Sequence, residues 1–373
     1  MKLVLAPDKF KNSLTGLEFC SAVEEGVKAI LPDAEVLKLP LADGGDGTIE
    51  VVNFYLNGIE VKVMVNNPFF KPIEATYLFS KELKMAFIEM AEASGVKLLK
   101  QEQFDCKNAT TFGTGEMIVD AINKGALKVI LGIGGSATND CGIGMASALG
   151  YQFLDGKKKE VKPIGANLSS IETIDVSNVN SKLKDVSFSI ACDVTNPLYG
   201  ENGAAHIYSA QKGATPDDIL LLDQGLRDFS KLLNVVFNID SQSVIGAGAA
   251  GGMGIASKVF LDGNLEPGIQ LIKNLANFDN KIQNADWIIT GEGKLDRQTM
   301  SGKTIQGVVQ SANNKKIQVA TFCGAIDLEG KSPEDYGIHY ADAVMNYAKG
   351  LEDAMKNGYD YVKVMAGVFA REI

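Results

Sequence analysis

Five stretches of the sequence set glycines, carboxylates and lysines directly behind apolar runs. Asp8-Lys9-Phe10-Lys11 follows Leu3-Val4-Leu5, and Asp43-Gly44-Gly45-Asp46-Gly47-Thr48 follows the alternating segment 35–41. Gly132-Ile133-Gly134-Gly135-Ser136-Ala137-Thr138-Asn139-Asp140 follows Val129-Ile130-Leu131. Asp193-Val194-Thr195-Asn196-Pro197 and Gly291-Glu292-Gly293-Lys294-Leu295-Asp296 stand behind the runs 190–192 and 288–290. Glycine lets backbone N–H groups come close to a ligand, and a helix beginning beyond such a loop favours an anion. Carboxylates in the same place repel a phosphate unless a divalent cation lies between them. The combination is what Mg²⁺–nucleotide chemistry needs. A single Gly-Asp loop behind a strand is ordinarily a turn with an Asx cap. Spacing alone therefore leaves both a shared site and ordinary loop chemistry standing.

Better-known phosphate motifs are absent or weak. Ser301-Gly302-Lys303-Thr304 ends like a P-loop, but Arg297 occupies the position of the first glycine. Gly246-x-Gly248-x-x-Gly251 matches the dinucleotide fingerprint, with a poor strand before it and no acid-terminated second strand after it. It keeps a nicotinamide-dependent dehydrogenase as an alternative; a glycine lining that admits a ligand or tight packing is the other reading. Ser136 lies in Gly-Gly-Ser, not in a G-x-S-x-G elbow. Cys141 and Cys192 abut candidate loops without a neighbouring histidine, so they read as small buried residues. His206, in an apolar segment, reads as a hydrogen-bonded structural residue, and His339 as a solvated loop residue.

The elements that must carry these loops alternate at both ends of the chain. A short apolar run, an amphipathic stretch over 17–31 broken by Pro32-Asp33, a second strand over 35–41 and a helix over 48–56 make an α/β unit with loops at the strands' carboxyl ends. From Ile59 to about Leu99 the texture is that of a meander, with Val61, Val63 and Val65 alternating. Helix–strand alternation resumes at 115–131, a polar tract over 155–184 reads as a surface excursion, and Thr215-Pro216-Asp217 opens a strong amphipathic helix. Strands over 287–290, 318–322 and 343–346, and helices over 304–311 and 351–369, return to the texture of the N-terminus. The fold class is α/β, with one domain inserted in another that holds both termini.

Composition limits the partners. The chain has 373 residues and a net charge of −10, which excludes a general nucleic-acid binder because such a protein needs a basic face. Two histidines in the whole chain leave no room for multi-histidine metal sites, so acid–base work falls to carboxylates and lysines. Five scattered cysteines without a CxxC pair suit reduced thiols, and no window approaches the roughly 20 apolar residues of a membrane span. A cytoplasmic protein is expected.

The loop set 6–11, 41–48, 132–140, 191–197 and 289–299 resembles the bacterial glycerate kinase family of the glycerate/glucarate type, in family order and over essentially the whole chain. Lys9 stands where the family usually has Ser, Asp46 where Glu is common, Cys141 where Gly is usual and Lys294 where Arg is typical. Lys294 keeps the charge but loses the planar fork that grips an oxyanion in bidentate fashion.

The resemblance implies ATP-dependent phosphorylation of D-glycerate, usually at the 2-hydroxyl, with Mg²⁺. The 3-hydroxyl is the alternative acceptor, and a sugar-acid sensor the alternative outside enzymology. It also implies an outer flavodoxin-like domain, expected over 1–65 and 284–373, with a mixed α/β domain inserted at 66–283. Asp193 is then expected as general base or Mg²⁺ ligand and Asp296 in the other of those roles. Lys9, Lys11, Lys294 and Lys303 are the candidates to neutralise the triphosphate. Asp43, Asp46, Arg297 and Asn196 are expected to bind substrate, Arg297 through the glycerate carboxylate. Gly134, Gly135, Ser136 and Thr138 are expected to cradle phosphate oxygens. The expected partners are small molecules, with neither nucleic acid nor membrane, and a homodimer is the candidate assembly.

Overall fold

The alternation of apolar runs with amphipathic stretches resolves into two main sheets, each with its own core. The computed structural model describes residues 1–44, 47–296 and 304–373. The chain divides into two compact units, one formed by Met1–Tyr55 with Gly268–Ile373 and the other by Leu56–Pro267. The division falls earlier than residues 65 and 284 for local reasons. Ile59–Asn66 pairs along its whole length with Pro72–Ser80 in the second unit. Gly268–Ala276 belongs with the first unit, where Ile269 lies against Gly307.

The unit holding both termini is built on a five-stranded sheet whose spatial order is Tyr340–Ala343, Gln318–Cys323, Trp287–Thr290, Lys2–Leu5, Glu35–Lys38. Every pairing is parallel. Counted along the chain the order is 2-1-3-4-5, the flavodoxin-like arrangement. Leu3, Leu5 and Phe322 are wholly buried and pack with Phe19 and Phe369 from two helices. The first of these, Gly16–Lys28, starts at a capping box in which the Thr15 hydroxyl accepts from the Glu18 amide and the Glu18 carboxylate accepts from the Thr15 amide. The predicted C-terminal helix is two, Leu351–Lys356 and Gly358–Glu372, and the last strand ends at Ala343 where 343–346 was expected. Residues 344–346 instead make a single 3₁₀ turn.

The inserted unit has a six-stranded sheet ordered Asn264–Glu266, Ser187–Ala191, Lys128–Gly132, Met85–Glu89, Pro72–Ser80, Ile59–Asn66. The first four strands run parallel, and the last two add an antiparallel meander at one edge. The helix Pro216–Phe237 opens on the Thr215 capping box with proline in its first turn, and turns Leu222, Leu226, Phe229 and Leu233 into the core. The polar tract 155–184 is more than an excursion. Its Thr173–Asp175 strand pairs with Gln152–Leu154, and Leu168, Ile171, Ile174 and Leu183 are buried.

The crossing of Gly16–Lys28 with Gly358–Glu372 depends on a missing side chain. A Cβ on Gly26 would lie 2.2 Å from the Lys363 carbonyl oxygen and 2.8 Å from the Ala366 Cβ. Gly26→Ala is expected to destabilise the protein by about 2 kcal/mol through overpacking. Gly367→Ala, whose Cβ would stand 3.7 Å from the nearest atom of Gly26, is expected to be close to neutral in the same denaturant titration.

Candidate active site

In open parallel sheets ligands bind beyond the carboxyl ends of the strands, where the connections turn in opposite directions. In the outer unit that point lies between Lys2–Leu5, whose chain continues to Glu35–Lys38, and Trp287–Thr290, whose chain continues to Gln318–Cys323. The loops behind these two strands are laced together. The Ala6 amide donates to the Ile289 carbonyl at 2.8 Å, the Asp8 amide to the Gly291 carbonyl at 2.9 Å, and the Thr290 hydroxyl to the Ala6 carbonyl at 2.7 Å.

Asp8 is the residue this lacing aims. Burial pushes its carboxyl up to about 6, and the neighbouring Asp43 charge pushes the same way, while a hydrogen bond donated by the Thr304 hydroxyl opposes both. Lys9 lies beside it, and its stem covers Gly47, where a Cβ would come within 2.6 Å of the Lys9 Cδ. Lys11 is exposed on the same loop. Lys294 sits 3.1 Å from Asp327 and 4.0 Å from Asp296, across the short parallel pair Lys294–Asp296 and Ala325–Asp327. The outer unit therefore brings together Asp8, Lys9 and Asp43 at one point and Lys294 with Asp296 at another. Asp46, Arg297 and Lys303 lie outside the described residues.

In the inserted unit the loop behind Lys128–Gly132 leaves Gly134 and Gly135 exposed and then turns inward, so that Ser136, Thr138, Asn139 and Asp140 are buried. Gly135 has φ +67°, a left-handed conformation that glycine adopts without strain. The Ser136 Oγ accepts from the Lys212 ammonium at 2.7 Å, and the Thr138 carbonyl accepts from it at 2.9 Å. Lys212 is only 5% exposed, and burial pushes its ammonium down to about 8. The Asp140 carboxylate accepts from the Thr111 amide and hydroxyl, both at 2.8 Å, and from the amides of Gly142 at 3.1 Å and Gly144 at 3.2 Å. Burial raises its pKa against these four bonds.

Asp193 is exposed behind the Ser187–Ala191 strand. Asn196 holds its own loop, donating to the Asn202 carbonyl at 2.9 Å and accepting from the Tyr208 hydroxyl at 2.6 Å. The glycines 246, 248 and 251 resolve as packing residues. Cβ atoms there would meet Cys192 Sγ at 2.8 Å, the Pro197 carbonyl oxygen at 2.2 Å and the Thr138 carbonyl oxygen at 2.3 Å. Residues 240–245 contain no strand, so the dinucleotide fingerprint lacks its strand–turn–helix setting. Burial pushes the Cys141 and Cys192 thiols up, which leaves no thiolate nucleophile there at neutral pH. His206 is exposed rather than sheltered, because the short helix Ala204–Tyr208 turns Ala204 and Ala205 inward. His339 is anchored as well as exposed, its Nδ1 accepting from the Val319 amide at 3.1 Å.

Sequence reasoning assigned no role to Asp8 or Lys212. Asp8 stood in a candidate loop, but its pKa is raised by burial and by Asp43 against the opposing Thr304 hydrogen bond, and Asp43 and Thr304 are both distant in sequence. Nothing near Lys212 marks it, since its partners lie more than 70 residues away.

Against known proteins, the Glycerate kinase family model matches residues 3–373. The chain belongs to the glycerate kinase family. A glycerate kinase of Bacillus cereus is 40% identical over 366 residues, covering 98% of this chain and 96% of the relative. The glycerate 2-kinase of Escherichia coli is 39% identical over 362 residues, covering 97% and 95%. The crystal structure of a putative glycerate kinase 2 from Salmonella typhimurium matches with a TM-score of 0.89 at 38% identity, covering all of this chain and 98% of that one. The family assignment therefore rests on the full length, and both units belong to it.

The Asp140 cluster is the local test of how the inserted unit's loop is held. Asp140→Asn replaces an acceptor by an N–H facing backbone donors, and is expected to cost about 2 kcal/mol, read as a lower denaturant midpoint.

Proposed function

We propose that the protein transfers the γ-phosphoryl group of ATP to the 2-hydroxyl of D-glycerate, giving 2-phosphoglycerate and ADP in the cytoplasm. The observation that carries the reading is full-length membership of the glycerate kinase family, and the name of the Escherichia coli relative favours the 2-position. The site chemistry supports it. Both units place carboxylates and glycine loops beyond the carboxyl ends of parallel strands, and phosphoryl transfer runs on positioning and charge neutralisation.

A carboxylate accepts the hydroxyl proton as the glycerate oxygen bonds to the γ-phosphorus and the bridging oxygen leaves with ADP. Asp193, exposed on its loop, is assigned that role. The oxygen-only donor set of these loops fits Mg²⁺, which needs one or two carboxylates when phosphates complete its shell. Among the described residues no trio of His, Cys, Asp and Glu side chains forms a metal cage. Asp296 would then hold the ion, which would neutralise charge on the phosphates. Asp8 and Asp43 accept hydrogen bonds from the glycerate hydroxyls, together with Asp46, while Asn196 shapes the loop that carries Asp193. Arg297 takes the glycerate carboxylate. Lys9, Lys11, Lys294 and Lys303 balance the triphosphate, and Gly134, Gly135, Ser136 and Thr138 receive phosphate oxygens.

Incubation with ATP, Mg²⁺ and D-glycerate, coupled through enolase alone, is expected to give signal without added phosphoglycerate mutase. A signal that requires the mutase assigns the 3-hydroxyl instead. Ionised Asp8 is the stronger acceptor for the glycerate hydroxyls, so kcat/KM is expected to fall on the acid side with an apparent pKa near 6. The Thr304 hydrogen bond lowers that pKa, so Thr304→Val is expected to move the acidic limb to higher pH. An unmoved limb in the pH–rate profile of the variant would remove Asp8 from the reaction.

A further inference from the structure

Lys212 carries a charge for which the described residues supply no carboxylate partner. Among the described residues its ammonium donates only to the Ser136 hydroxyl oxygen and the Thr138 carbonyl, both neutral. Two other titratable groups face it. The Asp140 carboxylate is taken up by Thr111, Gly142 and Gly144. The Cys106 thiol is kept neutral by burial and donates to the Ser209 carbonyl. A buried ammonium with neutral acceptors alone is costly to keep charged unless an anion completes its environment.

A second observation lies in the same loop. Thr138 Oγ1 and Asn139 Oδ1 are buried without a hydrogen-bond partner, on residues exposed by 0% and 1%. Buried polar atoms in native proteins are nearly always paired, and unpaired ones mark strain, function or a missing ligand. The loop is open at Gly134, where an added Cβ would meet nothing within 4 Å. A hydroxyl has one proton to give. Because Ser136 Oγ already accepts from Lys212, that proton is directed to another acceptor, and the ammonium strengthens it as a donor.

We propose that Lys212 is a positioning residue for an oxyanion site on the 134–138 loop: it polarises the Ser136 hydroxyl, which donates to a phosphoryl or carboxylate oxygen of a bound reactant. The assignment deepens the proposed function, which already sets reactant phosphate on this loop, by naming the group that supplies the loop's positive charge. Anion binding favours the protonated form of Lys212, so binding at pH 8 draws a proton from solution.

The test is calorimetric titration of the intact protein at pH 8 in two buffers of different ionisation enthalpy. The probes are inorganic phosphate, a non-hydrolysable ATP analogue with Mg²⁺, and D-glycerate, each added separately. The ligand that occupies the site is expected to take up about half a proton on binding, since Lys212 is half protonated near its pKa. Lys212→Met should abolish that uptake and raise the KM of the same reactant by about tenfold to a hundredfold, with a smaller change in kcat. Lys212→Arg should recover part of the loss. Uptake confined to the ATP analogue identifies a nucleotide phosphate as the anion, and uptake confined to D-glycerate identifies the acceptor's carboxylate. The proposal fails if the wild-type protein binds all three probes without proton uptake, or if Lys212→Met keeps the uptake. A variant that does not fold leaves the wild-type titration to decide. Absence of turnover with ATP and D-glycerate overturns the activity reading, while the phosphate titration still decides the site.

Discussion

A carboxylate with no solvent exposure, Asp140, governs the geometry of the glycine loop in the inserted unit. Such a group is tolerated only when its oxygens are saturated with donors, and here Thr111, Gly142 and Gly144 supply them. The bonds tie the end of the loop to the residue that precedes helix Phe112–Asn123 and to the start of helix Ile143–Ala148. Because Thr111, Gly142 and Gly144 take up the hydrogen bonds of Asp140, the ammonium of Lys212 in the same neighbourhood is left to the Ser136 side of the loop. One buried charge is closed upon the fold and the other stays open to chemistry.

The outer unit solves its positioning problem with backbone. The two loops at the switch point hold each other by main-chain hydrogen bonds, so Asp8 is placed by peptide groups and its electrostatics by neighbours. Substitution on these loops is then constrained by how closely neighbouring groups approach. That is consistent with glycine recurring there, as at Gly291, where a Cβ would stand 1.9 Å from the Phe322 carbonyl oxygen.

Strand and helix periodicity made the two α/β textures legible, and so did the loops behind the strands, because both follow from local rules of burial and turn chemistry. The flavodoxin-like order followed from the family resemblance and is visible in the sheet itself. Boundaries were less legible. Ile59–Asn66 alternates like any half-buried strand, and only its pairing with Pro72–Ser80 assigns it to the inserted sheet. The apolar residues of 155–184 were hidden among lysines and serines because their burial comes from contacts remote in sequence. Lys212 was invisible for the same reason. A lysine reads as surface until a serine elsewhere in the chain is found within hydrogen-bond distance of it.

The pairing of Lys2–Leu5 with Trp287–Thr290 bears on the order in which the chain acquires structure as it is made. Lys2–Leu5 precedes the inserted unit in the chain, yet its neighbour Trp287–Thr290 is synthesised only after the whole of Leu56–Pro267 has followed. The continuous inserted unit can therefore condense on the ribosome while the first two strands and two helices wait with an open sheet edge. Closing that long loop late makes the outer unit the slower one to form. The first 55 residues are the segment most in need of protection from premature pairing during synthesis.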